Sequence, residues 1–102
     1  MNPIIANKIS QLEILCKKYQ VATMYVFGSV TTDKFNENSD IDFLIAFRQD
    51  ISIEEYTNNY FELQYHLRDL FKREIDLVTE NSLSNPYFIE SVEQTKQLLY
   101  AA

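Results

Sequence analysis

Asp40 and Asp42 stand at the head of the apolar run from Ile41 to Phe47, and Asp76 is set between Ile75 and Leu77. These are the side chains of this sequence best suited to do chemistry. In an extended strand, residues two apart point to one face, so Asp40 and Asp42 share a side while Ile41, Phe43, Ile45 and Phe47 take the other. Carboxylates gathered in one place repel by roughly 4 kcal/mol per close pair, at about 4 Å and an effective dielectric near 20. A divalent cation removes that cost. Hard ions such as Mg2+ prefer carboxylate oxygen, and two of them can clamp the attacking and leaving oxygens of a phosphoryl centre. An aspartate pair solvated at a strand end, with Asp76 capping a loop, would account for the same residues without any chemistry.

Upstream lies the single glycine of the chain, where an average composition would supply about seven. The other turns must be made from Asn, Asp, Ser and Pro. Gly28 therefore marks a place that excludes a side chain. Between a strand and a helical turn it lets backbone approach a ligand, and the helix N-terminus that follows offers N–H groups to an anion. Ser29 adds a hydroxyl there. Taken alone, Gly-Ser marks a tight turn as readily as a site.

The elements that must position these residues follow from periodicity. Asn2 and Pro3 open a helix whose Ile5, Ile9, Leu12, Cys16 and Tyr19 recur on one face, which makes Cys16 a core residue rather than a nucleophile. Residues 21–27 read as a buried strand, 29–35 as a helical turn, 36–39 as a polar loop and 41–47 as a second strand. Ser52 with Glu55 forms a capping box for a long helix, and Tyr56, Tyr60, Leu63, Leu67 and Leu70 or Phe71 are its inner stripe. Residues 74–79 give a third strand. Asn85 and Pro86 begin a last helix, with Ile89, Val92 and Leu99 on its apolar side. The order predicts an α+β fold, a small mixed sheet with flanking helices, in one domain spanning 1–102. His66 lies beside the inner stripe, where a helix-surface role suits it better than catalysis. The aromatic group Tyr56, Tyr60, Phe61, Tyr65 and Phe71 is expected at the core and helix boundary, and any exposed part of it would suit a protein interface.

Composition narrows the function classes. A chain of 102 residues has room for one core but not for a separate acceptor-binding lobe, so a large substrate would bring part of its own binding surface. The net charge of -6 argues against extended contact with a nucleic-acid backbone, though not against a nucleotide whose charge a metal carries. No apolar run approaches the length of a membrane span, and the N-terminus lacks the pattern of a cleaved signal. With one cysteine and no internal disulfide, the expected compartment is the cytoplasm.

Gly28-Ser29, ten intervening residues and then Asp40-Ile41-Asp42 resemble the signature of the polymerase-beta-like nucleotidyltransferase superfamily. The similarity extends over nearly the whole chain to its single-domain members, the minimal nucleotidyltransferases. The resemblance implies that Asp40 and Asp42 bind two Mg2+ ions, with Mn2+ as an alternative. Asp76 would bind one of them and help activate the attacking group. Gly28 and Ser29 would hold the outer phosphates, and Ser39 would order the loop before the aspartates. Many relatives carry Arg and Gly where this chain has Thr32 and Asp33, which leaves Lys34 as the candidate cation for the triphosphate. The implied reaction is attack on the α-phosphate of a nucleoside triphosphate, ATP by expectation, with release of pyrophosphate. Minimal members resemble antitoxins paired with a HEPN-type ribonuclease toxin, and some attach AMP to a tyrosine of that toxin. Two other outcomes stay open: transfer to a small hydroxylated compound, and neutralisation of a partner by contact alone. The resemblance leaves the oligomeric state open.

Overall fold

The computed structural model describes all 102 residues and arranges them as α1 (Pro3–Ala6), α2 (Ile9–Lys18), β1 (Val21–Phe27), a 3-10 turn (Gly28–Thr31), β2 (Ile41–Phe47), α3 (Ile53–Phe71), β3 (Ile75–Thr79), a second 3-10 turn (Glu80–Ser82), α4 (Pro86–Thr95) and β4 (Gln97–Ala101). The four strands form one sheet in the order β3-β2-β1-β4. β2 and β3 run parallel; β1 is antiparallel to both β2 and β4. This is the mixed sheet with helices that the sequence predicts.

Helix starts follow local chemistry. Ser52 Oγ accepts the N–H of Glu55, and the Glu55 carboxylate accepts the N–H of Ser52, which closes the capping box. Asn85 Oδ1 accepts from Tyr87 and Phe88 N–H with Pro86 at the first helical position. At its other end α3 stops on Lys72, whose φ of 54° is left-handed, and β1 is entered through Gln20 at φ 61°. Both positions would suit glycine, yet this chain fills them with long polar side chains at a backbone cost of about 1 kcal/mol each.

One face of the sheet packs on α2 and α3. Leu12, Cys16, Met24, Val26, Ile41, Phe43, Ile45, Leu63, Leu67, Ile75 and Leu77 are buried in a single cluster there. Burying each such side chain contributes about 1.5–3 kcal/mol. Cys16 belongs wholly to this core: burial pushes its thiol up to about 12, and its Sγ lies 3.7 Å from Met24 Sδ. α4 covers part of the opposite face, where Phe27, Leu44 and Val92 are buried together.

Several expectations are corrected. The first helix breaks at Asn7 and Lys8, where Lys8 N–H bonds Ile5 O in a tightened turn, although Ile5, Leu12 and Cys16 still reach the same core. The turn after β1 ends at Thr31, because the Thr31 and Thr32 hydroxyls bond back to Gly28 O and Ser29 O and Thr32 turns extended. Leu99 is not on α4. That helix ends at Thr95, and residues 97–101 form β4, pairing Tyr25 with Leu98 and Met24 with Tyr100. Within the aromatic group, Phe71 is buried, Tyr56 and Tyr60 are half-buried, and Phe61 and Tyr65 are exposed. No helix is long and apolar enough to cross a membrane.

Candidate active site

Phe27, Asp42 and Asp76 stand in one row across the sheet, since Phe27 is the register partner of Asp42 and Asp42 that of Asp76. Register partners on neighbouring strands project to the same face. The two carboxylates therefore lie side by side on the α4 face. Apolar residues on the other face enforce this pairing. Ile41 and Phe43 are partnered with Ile75 and Leu77, all four buried, and a slip of one residue would turn them to solvent.

Asp42 is half-buried. Burial first, then the Asp76 and Asp40 charges and a hydrogen bond with the Asp76 carboxyl group, push it up to about 6. Asp76 is exposed. Tyr60 approaches it from α3: its hydroxyl donates to Leu77 O at 2.6 Å, and its pKa is raised by burial and then by the Asp76 charge.

Asp40 sits one residue outside β2 and is exposed. Its charge reaches Asp42, but it precedes the first register pair, Ile41 with Ile75, so no strand ladder fixes its side chain. As the side chains stand, no group of three or more His, Cys, Asp and Glu residues is arranged to hold a metal ion. The structure thus brings Asp42 and Asp76 together and leaves Asp40 beside them. The pair suits a hard divalent cation: both donors are carboxylate oxygens, and one is drawn out of water against its like.

Gly28 is where β1 meets this pair. Its φ is 76°, and a Cβ built there would collide with Asp42 Oδ2 and lie 3.4 Å from Asp42 Cγ. Positive φ alone does not select glycine in this chain, as Gln20 and Lys72 show. The proximity of Asp42 does. The Gly28 N–H donates to Thr95 Oγ1 at 3.0 Å. Thr95 Oγ1 in turn donates to Ser91 O at 3.0 Å, which ties the end of α4 to the glycine.

The remaining predicted residues surround the row unevenly. Ser29 is half-buried in the 3-10 turn, with its carbonyl accepting the N–H and hydroxyl of Thr32. Thr32 therefore stiffens this turn. Asp33 and Lys34 follow in an exposed segment, where Lys34 N–H donates to Thr32 Oγ1. Ser39 Oγ accepts the N–H of Asn36 at 3.1 Å, and Ser39 N–H returns a bond to Asn36 O at 3.0 Å, which closes the loop before Asp40. His66 stacks on Tyr19, on the α2 side of α3. Thr95 and Arg73 were not legible as site residues, because each works through backbone groups far away in the chain.

The largest cleft, about 400 Å³, lies at the other end of β2, between Ile45–Gln49, Tyr56 and Thr79–Asn81. None of the three aspartates lines it. The carboxylate row is instead an open shelf, with Asp40 and Asp76 exposed and Asp42 half-buried.

A nucleotidyltransferase domain family matches residues 9–99 of the chain. A candidate protein adenylyltransferase of Methanocaldococcus jannaschii is 39% identical over 82 residues, which is 80% of each chain. The fold is similar to the solved structure of a candidate minimal nucleotidyltransferase, with a TM-score of 0.66 at 25% identity over 90% of this chain and 89% of that one. It is also similar to a chain in the complex of a tri-AMPylated HEPN toxin of Shewanella oneidensis with an MNT antitoxin. There the TM-score is 0.66 at 18% identity, over 96% of this chain and 73% of that one. The segment that matches the family runs from the start of α2 into β4 and contains the whole carboxylate row, so this chain belongs to the nucleotidyltransferase domain family.

Proposed function

We propose that this chain moves AMP from ATP to a hydroxyl group on a partner protein, a HEPN-type toxin that it neutralises as an antitoxin. The observation that carries the reading is the Asp42–Asp76 pair, held in register on parallel strands with Gly28 against it. Asp42 and Asp76, with Asp40 alongside, would hold Mg2+, or Mn2+ in its place. The bound cation would screen the triphosphate and stabilise charge on the reacting oxygens. The acceptor oxygen attacks the α-phosphorus, a new P–O bond forms, the bond to pyrophosphate breaks, and the hydroxyl proton passes to the Asp76 carboxylate. Gly28 keeps space open beside Asp42. The Ser29 hydroxyl would contact the outer phosphates, with Lys34 as the cation of that segment. The open shelf supports a protein acceptor, since catalysis then depends on how the acceptor's own surface docks.

Asp76→Asn tests this. It preserves the shape of β3 and removes one ligand and the proton acceptor. With ATP labelled at the α-phosphate and a co-expressed HEPN-type toxin, the wild type should label the toxin. The variant should still bind it, but label it roughly 10²- to 10³-fold more slowly and fail to protect cells. Full protection by a variant shown to be transfer-dead would establish neutralisation by contact instead. Label recovered only in small molecules would replace the protein acceptor with a small hydroxylated one.

A further inference from the structure

The loop that leads to Asp40 contains no regular element, yet one distant side chain grips it at three points. Arg73 Nη1 donates to the carbonyl oxygens of Asn36 at 3.0 Å and Ser39 at 2.8 Å, and its guanidinium carbon lies 4.5 Å from the centre of the Phe35 ring. None of the five ion pairs of the chain uses Arg73. Its charge is directed at two carbonyls and an aromatic face, a geometry that suits a planar guanidinium. Ser39 is the residue before Asp40, and Arg73 lies three residues before Asp76. The connection from α3 to β3 therefore sets one carboxylate directly and holds the loop that delivers another. Glu74 O continues the link by accepting the N–H of Ile41 at 3.2 Å.

We infer that Arg73 is a positioning residue: by clamping the Phe35–Ser39 loop it keeps Asp40 within reach of Asp42 and Asp76, so that Asp40 can join them in holding a divalent cation. Asp40 needs such a device because the sheet does not hold it. The inference rests on the metal-dependent reading above. A guanidinium that only stapled the fold would affect stability and leave the metal site alone. One that works through Asp40 must show coupling to it.

The test combines amide hydrogen exchange with Mn2+ titration followed by electron paramagnetic resonance, on the full chain. Arg73→Ala should speed exchange at Asn38 and Ser39, whose N–H groups bond within the clamped loop. It should weaken Mn2+ binding by about 10- to 100-fold, the range for residues that orient a metal's ligands. In an Asp40→Asn background the same substitution should cost no further affinity, because its route to the metal is already cut. Arg73→Lys keeps the charge without the planar fork and is the second variant if the alanine form does not fold; it too should bind Mn2+ more weakly. Wild-type exchange and affinity in both variants would overturn the inference. So would an equal loss of affinity with and without Asp40. If the wild type binds Mn2+ but transfers no AMP, the proposed function fails and the clamp is still judged by these measurements. If it binds no Mn2+, both fail together.

Discussion

On the α2–α3 face of the sheet, 18 buried residues pack into one cluster, whereas on the α4 face only Phe27, Leu44 and Val92 are buried together, and the row beside them carries Asp42 and Asp76. The same strands supply both faces by alternation: Ile41, Phe43 and Ile45 turn one way and Asp42 and Leu44 the other. The first face has the large apolar surface that holds the register, and the second puts a carboxylate pair where its mutual repulsion opposes folding. The acids stay where they are because moving them would also expose the apolar residues between them. Stability and chemistry are thus separated by a single residue step along β2.

The largest expected effect breaks that comparison from the core side. Phe43 is fully buried and packs on Phe71, with ring centroids 5.8 Å apart. Phe43→Ala should lower unfolding free energy by about 3–5 kcal/mol in denaturant melts. On the other face Val92→Ala should cost only about 2 kcal/mol. Equal losses would mean that the α4 face contributes as much to stability as the α2–α3 face does.

A smaller effect separates two left-handed positions. Gly28→Ala should destabilise by about 2 kcal/mol and weaken binding of a non-hydrolysable ATP analogue, since the new methyl group displaces the Asp42 carboxylate. Lys72→Gly relieves the same backbone region and gives up only an exposed ion pair with Asp69, so it should instead stabilise by up to about 1 kcal/mol. Chemical melts with analogue titrations would check both, and a harmless Gly28→Ala would remove the reason for the glycine.

The smallest effect concerns pH. Asp42 in the folded chain is raised from 3.8 to about 6, so below the lower value both states are protonated and the pair costs nothing. As pH rises from about 4 through 6, the unfolded chain loses this proton first and stability falls. After allowance for solvent screening of a half-exposed group, the loss is on the order of 1 kcal/mol. Without added metal, the Asp42→Asn variant should lack this fall, so its advantage over the wild type should open between those pH values in parallel melts. Added Mn2+ should shrink it by neutralising the wild-type pair. A constant difference between the two proteins across the range would mean that the carboxylates do not oppose folding.

Much of this molecule is readable from short stretches of sequence. The capping box at Ser52 and Glu55, the Asn85-Pro86 helix start, the alternation over 41–47 and the glycine before the turn are each encoded within a few neighbouring residues, and all four appear in the structure. The pattern also marks Asp42 and Asp76 as polar residues out of place in apolar strands. What it could not contain is the pairing of segments far apart in the chain. The run Gln97 to Ala101 is too short to declare its period, and it became a strand because β1 offered an open antiparallel edge. Asp40 shares its two-residue spacing with Asp42, yet the parallel ladder begins only at Ile41, so the sheet fixes one aspartate and not the other. Arg73 on Asn36 and Ser39, and Thr95 on Gly28, are contacts across 34 to 67 residues between a side chain and a backbone group. Backbone groups carry no residue identity, so the sequence alone determined which residues could do chemistry, while only the tertiary structure decided which groups hold them in place.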